Sequence, residues 1–256
     1  MRRALFASAA SALALSVTFT GNAVGPYPDE IMEEVFRVRM AVLERTYSVH
    51  FQPGSKPSVR FLVPRRKMDT GTYQWYSTYA GGDSFLIHPR FRGEIRYFGS
   101  AAEVMAKLPD LVQMTDHELG HLLASQIAAR LNQPFLPFKD KQQTMPFEVM
   151  IGMRIVSEGI ASYFGATTGH LNGHPTDEVF PEKLEKIDLV TGVVDFDDIC
   201  YPGGEWLVTP VIQRYGERGV AYLVSHPFVP LYDTFQASVH TYQRVALEEL
   251  ASESPP

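Results

Sequence analysis

Two histidines stand four residues apart in the segment MTDHELGHLLASQ (114–126), with Glu118 directly after the first of them. In an α-helix, residues i and i+4 lie one turn apart on the same face. His117 and His121 can therefore both point a ring nitrogen at one ion about 2.0–2.1 Å away. Glu118 lies roughly 100° round the helix from His117, where it can reach a water on the ion without binding the ion. The H-E-x-x-H spacing therefore predicts a metal site with a general base beside it.

The residues around this motif indicate a buried helix. The alternative is a solvated helix face that carries two unrelated histidines. Five apolar residues make that alternative unfavourable, because they surround much of the helix: Leu111, Met114, Leu119, Leu122 and Leu123. A glutamate buried between two histidines needs a partner, and a divalent cation supplies one. Gly120 removes a side chain where a neighbouring helix or a substrate can approach closely.

The third ligand separates the known classes of H-E-x-x-H sites. A metzincin continues with Gly and His, three and six residues after the second histidine, but Ala124 and Ile127 stand at those positions. A glutamate from the next helix is the other common arrangement. The segment RIVSEGIASYFG offers Glu158, an acid embedded in apolar sequence, for which a place on the helix surface is the alternative. Two helices packed antiparallel would bring Glu158 to the histidines.

Together, HELGH and the downstream SEGIASYF resemble the gluzincin metallopeptidases, the zincin-like group whose third ligand is a glutamate from an E-G-x-A type motif. The resemblance implies that His117, His121 and Glu158 bind Zn²⁺ and that Glu118 is the catalytic base. It covers less than half of the chain, and these two motifs are its specific part.

A further segment, 201–227, resembles the region that follows the third ligand in many gluzincins, with an aromatic residue and glycines before a helix. Its position makes Tyr201 the candidate donor to the oxyanion of the reaction, with His170 or His174 next. The alternatives are an aromatic ring packed under a loop and solvated loop histidines.

The chain also departs from the gluzincin pattern. It has no G-x-M-E-N type motif for a substrate amine, which disfavours the aminopeptidase branch. Ser162 stands four residues after Glu158, where thermolysin-like members carry an aspartate that orients a ligand histidine. Asp116, or another acid, would have to take that role.

These residues lead us to expect a zinc-dependent metallopeptidase that hydrolyses peptide bonds in a peptide or protein substrate. Two alternatives stay open: a catalytically silent zinc-binding interaction module, and a metal-dependent hydrolase of a non-peptide amide or ester. A serine or cysteine nucleophile is disfavoured, because there is no G-x-S-x-G motif and Cys200 has no motif around it.

Residues 1–23 have the features of a secretory signal peptide. Arg2 and Arg3 precede an apolar, alanine-rich run over 4–19, and small residues near Ala23 suit cleavage there. The run is shorter than the roughly 20 residues of a membrane span, although an uncleaved N-terminal anchor is the alternative. No later stretch is apolar enough to span a bilayer. We therefore expect a periplasmic or secreted protein, with a bacterial envelope as its setting.

Charge and cysteine content agree with this expectation. The formal net charge of −6 disfavours broad affinity for nucleic acid. Cys200 is the single cysteine, which rules out an internal disulfide, so the core, or the core together with a metal, must hold the exported chain together.

The order of predicted elements indicates an α+β fold, because strands come first and helices follow. A first helix over 29–47 precedes predicted strands at 58–64, 73–79, 84–89 and 94–99. Predicted helices follow at 100–108, 110–131 and 146–166, and the remainder is mostly helical. The expected fold is zincin-like: a small twisted sheet packed on the active-site helix, then a helical half. We expect one domain over 24–256, with the sheet in about 24–131 and the helical part in about 146–256.

Strand 84–89 is a candidate edge strand for an extended substrate, unless Phe85 and Ile87 simply alternate into the core.

Overall fold

A small mixed sheet lies in the N-terminal part of the chain. The computed structural model describes residues 27–61, 77–87, 89–135, 146–166, 199–229 and 234–253. Its three strands, in the order β1-β3-β2, are β1 (Ser58–Phe61), β2 (Ser77–Gly81) and β3 (Ser84–Ile87). Strand β3 runs parallel to β1 and antiparallel to β2.

The central place of β3 contradicts the prediction that it is an edge strand. Hydrogen bonds to β1 and β2 occupy both of its sides, and β2 is an edge of the described sheet. Phe85 and Ile87 are completely buried, so the alternation of this strand serves the core.

Eight α-helices and one π-helical turn make up the rest of the described chain. They are α1 (Pro28–Tyr47), α2 (Pro89–Ile95), α3 (Ala101–Lys107), α4 (Pro109–Arg130), α5 (Phe147–Ala166), the π-turn (Ile199–Gly203), α6 (Gly204–Tyr215), α7 (Glu217–Ser225) and α8 (Phe235–Ser252). This mostly helical chain with a small sheet confirms the α+β class. The predicted signal peptide lies outside the described residues.

The predicted strand over 94–99 is wrong. Its first residues belong to the end of α2, and a turn follows. Alternation in a strand would place Ile95 and Tyr97 on one face. Instead Ile95 is completely buried, together with Phe91 one helical turn earlier, whereas Tyr97 is 73% exposed. Packing at helical spacing thus overrides the strand propensity of this aromatic segment.

Helix α1 begins and ends where its sequence predicts. Pro28 suits the first turn, and the Glu30 carboxylate accepts a hydrogen bond from the backbone N–H of Tyr27 at 3.2 Å. Its apolar face packs against α3, α4 and β1. The backbone turns left-handed at Ser48, where the helix stops.

Helix α4 is the central element, and it carries the H-E-x-x-H motif. It contacts α1, α3, β2, α5 and α7, and buried residues occur on most of its circumference. Buried apolar residues of the sheet-containing part and of the helical part belong to one hydrophobic core. Among the described helices, none is both long and apolar enough to cross a membrane.

Candidate metal centre

The structure brings three sequence-predicted ligands together. The Glu158 Oε2 atom lies 3.5 Å from Nε2 of His117 and 3.4 Å from Nε2 of His121. The two imidazole rings are nearly perpendicular, with centroids 5.0 Å apart. All three side chains are largely buried, with exposed fractions between 14% and 21%. This group could hold a metal ion.

The Glu158 carboxylate has a buried oxygen without a hydrogen-bond donor among the described residues, which is consistent with a metal ion at this place. Its Oε2 atom is buried and accepts no hydrogen bond from any residue that the structure describes. A buried carboxylate oxygen in that state is costly unless a cation or a donor meets it. The two nitrogens that face it offer lone pairs when the imidazoles are neutral, so the three atoms make a donor set for one cation.

Close packing of α4 on α5 brings the Glu158 carboxylate near the two histidines. A Cβ atom at Gly120 would lie 2.7 Å from Cα of Ala161, and a Cβ atom at Gly165 would lie 3.2 Å from Cβ of His117. Side chains at either glycine would hold the helices apart. The prediction that a neighbouring helix approaches Gly120 is confirmed.

A second close approach places the π-turn near the metal group. Gly159 of α5 and Gly204 at the start of α6 face each other so tightly that a Cβ atom on either would meet the backbone of the other. Tyr201, in the turn just before Gly204, has its ring centroid 5.9 Å from that of His117. The predicted Tyr201 is therefore a neighbour of the three-residue group.

The facing charges change the pKa values of the group. Burial raises the pKa of Glu158, but the facing imidazoles of His117 and His121 outweigh it and hold that pKa well below its usual range. Burial lowers the pKa of His121, and the carboxylates of Glu158 and Glu118 overcome this and raise it. The carboxylate of Glu158 is therefore ionised at neutral pH, as a metal ligand must be.

Glu118, the predicted base, is buried with 5% of its surface exposed. On α4 it directly follows His117 and precedes His121 by three positions. His170 and His174, the other candidates for the oxyanion, lie outside the described residues.

Sequence reasoning missed the partner of His121. The Nδ1 atom of that ring lies 3.0 Å from the hydroxyl oxygen of Ser157, the residue before Glu158. The expected partner, Asp116, is instead held by Arg39 of α1, which donates from Nε at 2.8 Å and from a terminal nitrogen at 2.6 Å. Burial raises the pKa of Asp116 to about 6, against the lowering effect of that guanidinium.

Comparisons with protein-family models, curated proteins and solved structures give no match to this chain. The resemblance to gluzincins therefore rests on the residues and on the site that they form.

Proposed function

We propose that the protein is a zinc-dependent metallopeptidase with a zincin-like fold of the gluzincin type. The observation that carries the proposal is the meeting of His117, His121 and Glu158 from consecutive long helices, with Glu118 buried on the helix that carries the two histidines. Ligand atoms of a tetrahedral zinc site with bonds of about 2.0–2.1 Å stand about 3.3–3.4 Å apart. The two distances from Glu158 to the histidines, 3.5 and 3.4 Å, agree with that spacing.

The chemistry divides between the ion and the chain. Bound zinc would supply Lewis acidity, which lowers the pKa of a coordinated water toward about 7 and polarises a carbonyl group. Glu118 accepts a proton from the attacking water and returns it to the nitrogen that leaves, as the C–O bond forms and the C–N bond breaks. Tyr201 is the candidate donor to the oxyanion, since its ring lies beside His117.

The sheet offers a place for an extended peptide. Strand β2 lies against α4, and on one side it has no neighbour in the described sheet. An exposed edge can accept a peptide as an added strand through backbone hydrogen bonds. Such pairing would hold a peptide backbone alongside the helix that carries His117 and Glu118. We accordingly infer a peptide or protein substrate, in the extracytoplasmic compartment that the signal-like residues 1–23 indicate.

The proposal is tested on the chain purified from Val24. We expect about one zinc per chain by mass spectrometry, loss of that zinc in Glu158→Ala, and retention of zinc without peptide hydrolysis in Glu118→Gln. Glu148→Gln is the matched control, because this exposed glutamate lies on α5 away from the metal group. Absence of zinc from the wild type after zinc is supplied, or full hydrolysis by Glu118→Gln, would overturn the proposal. Parallel assays of peptides, non-peptide amides and esters separate a peptidase from other hydrolases, and no turnover with zinc bound would indicate a binding module.

A further inference from the structure

The two nitrogens of His121 face different partners on α5. Nε2 lies 3.4 Å from the Glu158 carboxylate, and Nδ1 lies 3.0 Å from the Ser157 hydroxyl. Ser157 and Glu158 are consecutive residues, separated by roughly 100° around a helix, so they contact the ring from two sides. Ser157 is itself buried, with 5% of its surface exposed. The ring is thus held at both nitrogens by one short stretch of helix.

This arrangement has a consequence for metal binding. An imidazole that gives its Nε2 lone pair to a metal must be neutral and must keep its proton on Nδ1. That N–H needs an acceptor in a buried place, and the acceptor fixes both the tautomer and the rotation of the ring. The Ser157 oxygen stands where that acceptor is required.

Asp116, the acid that the sequence analysis offered for orienting a ligand histidine, is already engaged. Both Asp116 oxygens accept hydrogen bonds from Arg39, on the α1 side of α4. Ser157 is neutral, so it contacts His121 without adding a third carboxylate to the two, Glu118 and Glu158, whose charges already act on that ring.

We propose that Ser157 is a positioning residue that holds the Nδ1–H tautomer of His121 and thereby sets the affinity of the site for its metal. This inference rests on the proposed metallopeptidase function, and it gives a role to Ser157, the first residue of the SEGIASYF segment, to which the sequence analysis assigned none. The role requires only an acceptor oxygen at this position, so threonine can take it where the added methyl group fits.

The test compares Zn²⁺ affinity among variants, measured by competition with a chromogenic chelator. We expect Ser157→Ala to bind zinc about 10–100-fold more weakly than the wild type, and Ser157→Thr to retain most of the affinity. Ser238→Ala is the control, because Ser238 is equally buried but lies on α8. The melting temperature of the metal-free protein should fall no further in Ser157→Ala than in Ser238→Ala, which separates positioning from a general loss of packing.

The outcomes distinguish the two proposals. Equal zinc affinity of the wild type and Ser157→Ala would overturn the role of Ser157 and leave the metallopeptidase proposal standing. A wild type that binds no zinc would overturn both.

Discussion

Gly120 of α4 lies directly against Ala161 of α5, so closely that a Cβ atom at Gly120 would stand 2.7 Å from Cα of Ala161 and 3.2 Å from the carbonyl oxygen of Ile160. Because the obstacle is backbone, no side-chain rotation can relieve the clash. Gly120 adjoins His121, and Ala161 lies less than one turn after Glu158. The separation of the two helices at this point therefore sets how near the carboxylate comes to the histidines.

We predict that Gly120→Ala destabilises the protein by about 1–3 kcal/mol, because the added methyl group forces α4 and α5 apart. It should also weaken zinc binding, since Glu158 moves away with its helix. Urea unfolding of the metal-free protein and zinc competition measure the two effects. Gly93→Ala is the matched control: Gly93 is on helix α2, where the added Cβ meets nothing within 4 Å among the described residues. There, alanine should be neutral or stabilise by about 0.5–1 kcal/mol, and equal stability of the two variants would contradict the prediction.

The residues of the H-E-x-x-H motif were easier to predict from sequence than the residues of α5 that contact them. The spacing of His117, Glu118 and His121 is local, so helical geometry alone places them on neighbouring faces. Glu158 required an assumption about antiparallel packing, which the ion-pair distances support. Ser157 opens the SEGIASYF segment, but it contacts His121 across 36 positions in the sequence, and the sequence alone does not show that contact.

The fold shows the same limit. Long helices with strong periodicity, such as α1 and α4, lie where the sequence predicts them. The strand order and the helical end of α2 were not predicted, because they depend on which apolar residues pack together in the core. Tyr97 is of a type enriched in strands. It is nevertheless exposed, because Phe91 and Ile95 fill the core from one helical face.

The buried pair of Arg39 and Asp116 leads to a prediction about stability. Asp116 is completely buried, and its pKa is raised to about 6, so burial outweighs the attraction of Arg39. Removing one partner, as in Arg39→Met or Asp116→Leu, should cost about 3–5 kcal/mol because the other is left buried and unpaired. The double variant should unfold near the wild-type urea concentration, since neither charge remains. If the double variant loses the sum of the two single costs, the two side chains are not coupled, the single costs do not come from an unpaired partner, and the prediction is wrong.

Glu217, the first residue of α7, gives a prediction about pH. Its carboxylate accepts a hydrogen bond from the backbone N–H of His50 at 2.7 Å and from Arg130 at 2.6 Å. Burial raises the pKa of Glu217, but the contacts with His50 and Arg130 prevail and lower it below the ordinary value of 4.5. Its stabilising contribution is therefore complete above pH 4.5 and is lost as the pH falls through the lower value in the folded state.

We expect Glu217→Gln to be less stable than the wild type by about 1 kcal/mol at pH 7, as for other partly exposed ion pairs. The difference should shrink as the pH falls from 7 to below 4.5, and it should vanish once Glu217 is protonated in the folded protein, because both proteins then carry a neutral side chain. Urea unfolding across this range measures it. Glu248→Gln serves as the control, because Glu248 pairs with Arg244 on the surface of α8 with 63% of its side chain exposed. A loss of stability in Glu217→Gln that stays constant from pH 7 down to the lowest pH at which the wild type still folds would show that charge is not its source.

Helix α6 contains Pro210, which interrupts its backbone hydrogen bonds, and the side chain of Gln243 from α8 replaces the missing donor. Proline has no N–H, so the carbonyl of Trp206, four residues earlier, loses its helical hydrogen bond. The Gln243 amide donates to that carbonyl at 2.8 Å and to the carbonyl of Leu207 at 3.2 Å. This buried bond joins α8 to the helix that follows the π-turn and Tyr201.

Gln243→Leu should therefore destabilise the protein by about 1–3 kcal/mol, because it removes the buried hydrogen bonds that the Gln243 amide donates to α6. In a Pro210→Ala background the same substitution should cost less, since the N–H of the new alanine can bond to Trp206. Urea unfolding of the wild type, both single variants and the double variant closes a cycle that isolates the coupling between the two positions. Equal costs of Gln243→Leu in the two backgrounds would mean that Gln243 does not act through the carbonyl that faces Pro210. A reduced cost would show that the proline in α6 and the glutamine in α8 act as one unit.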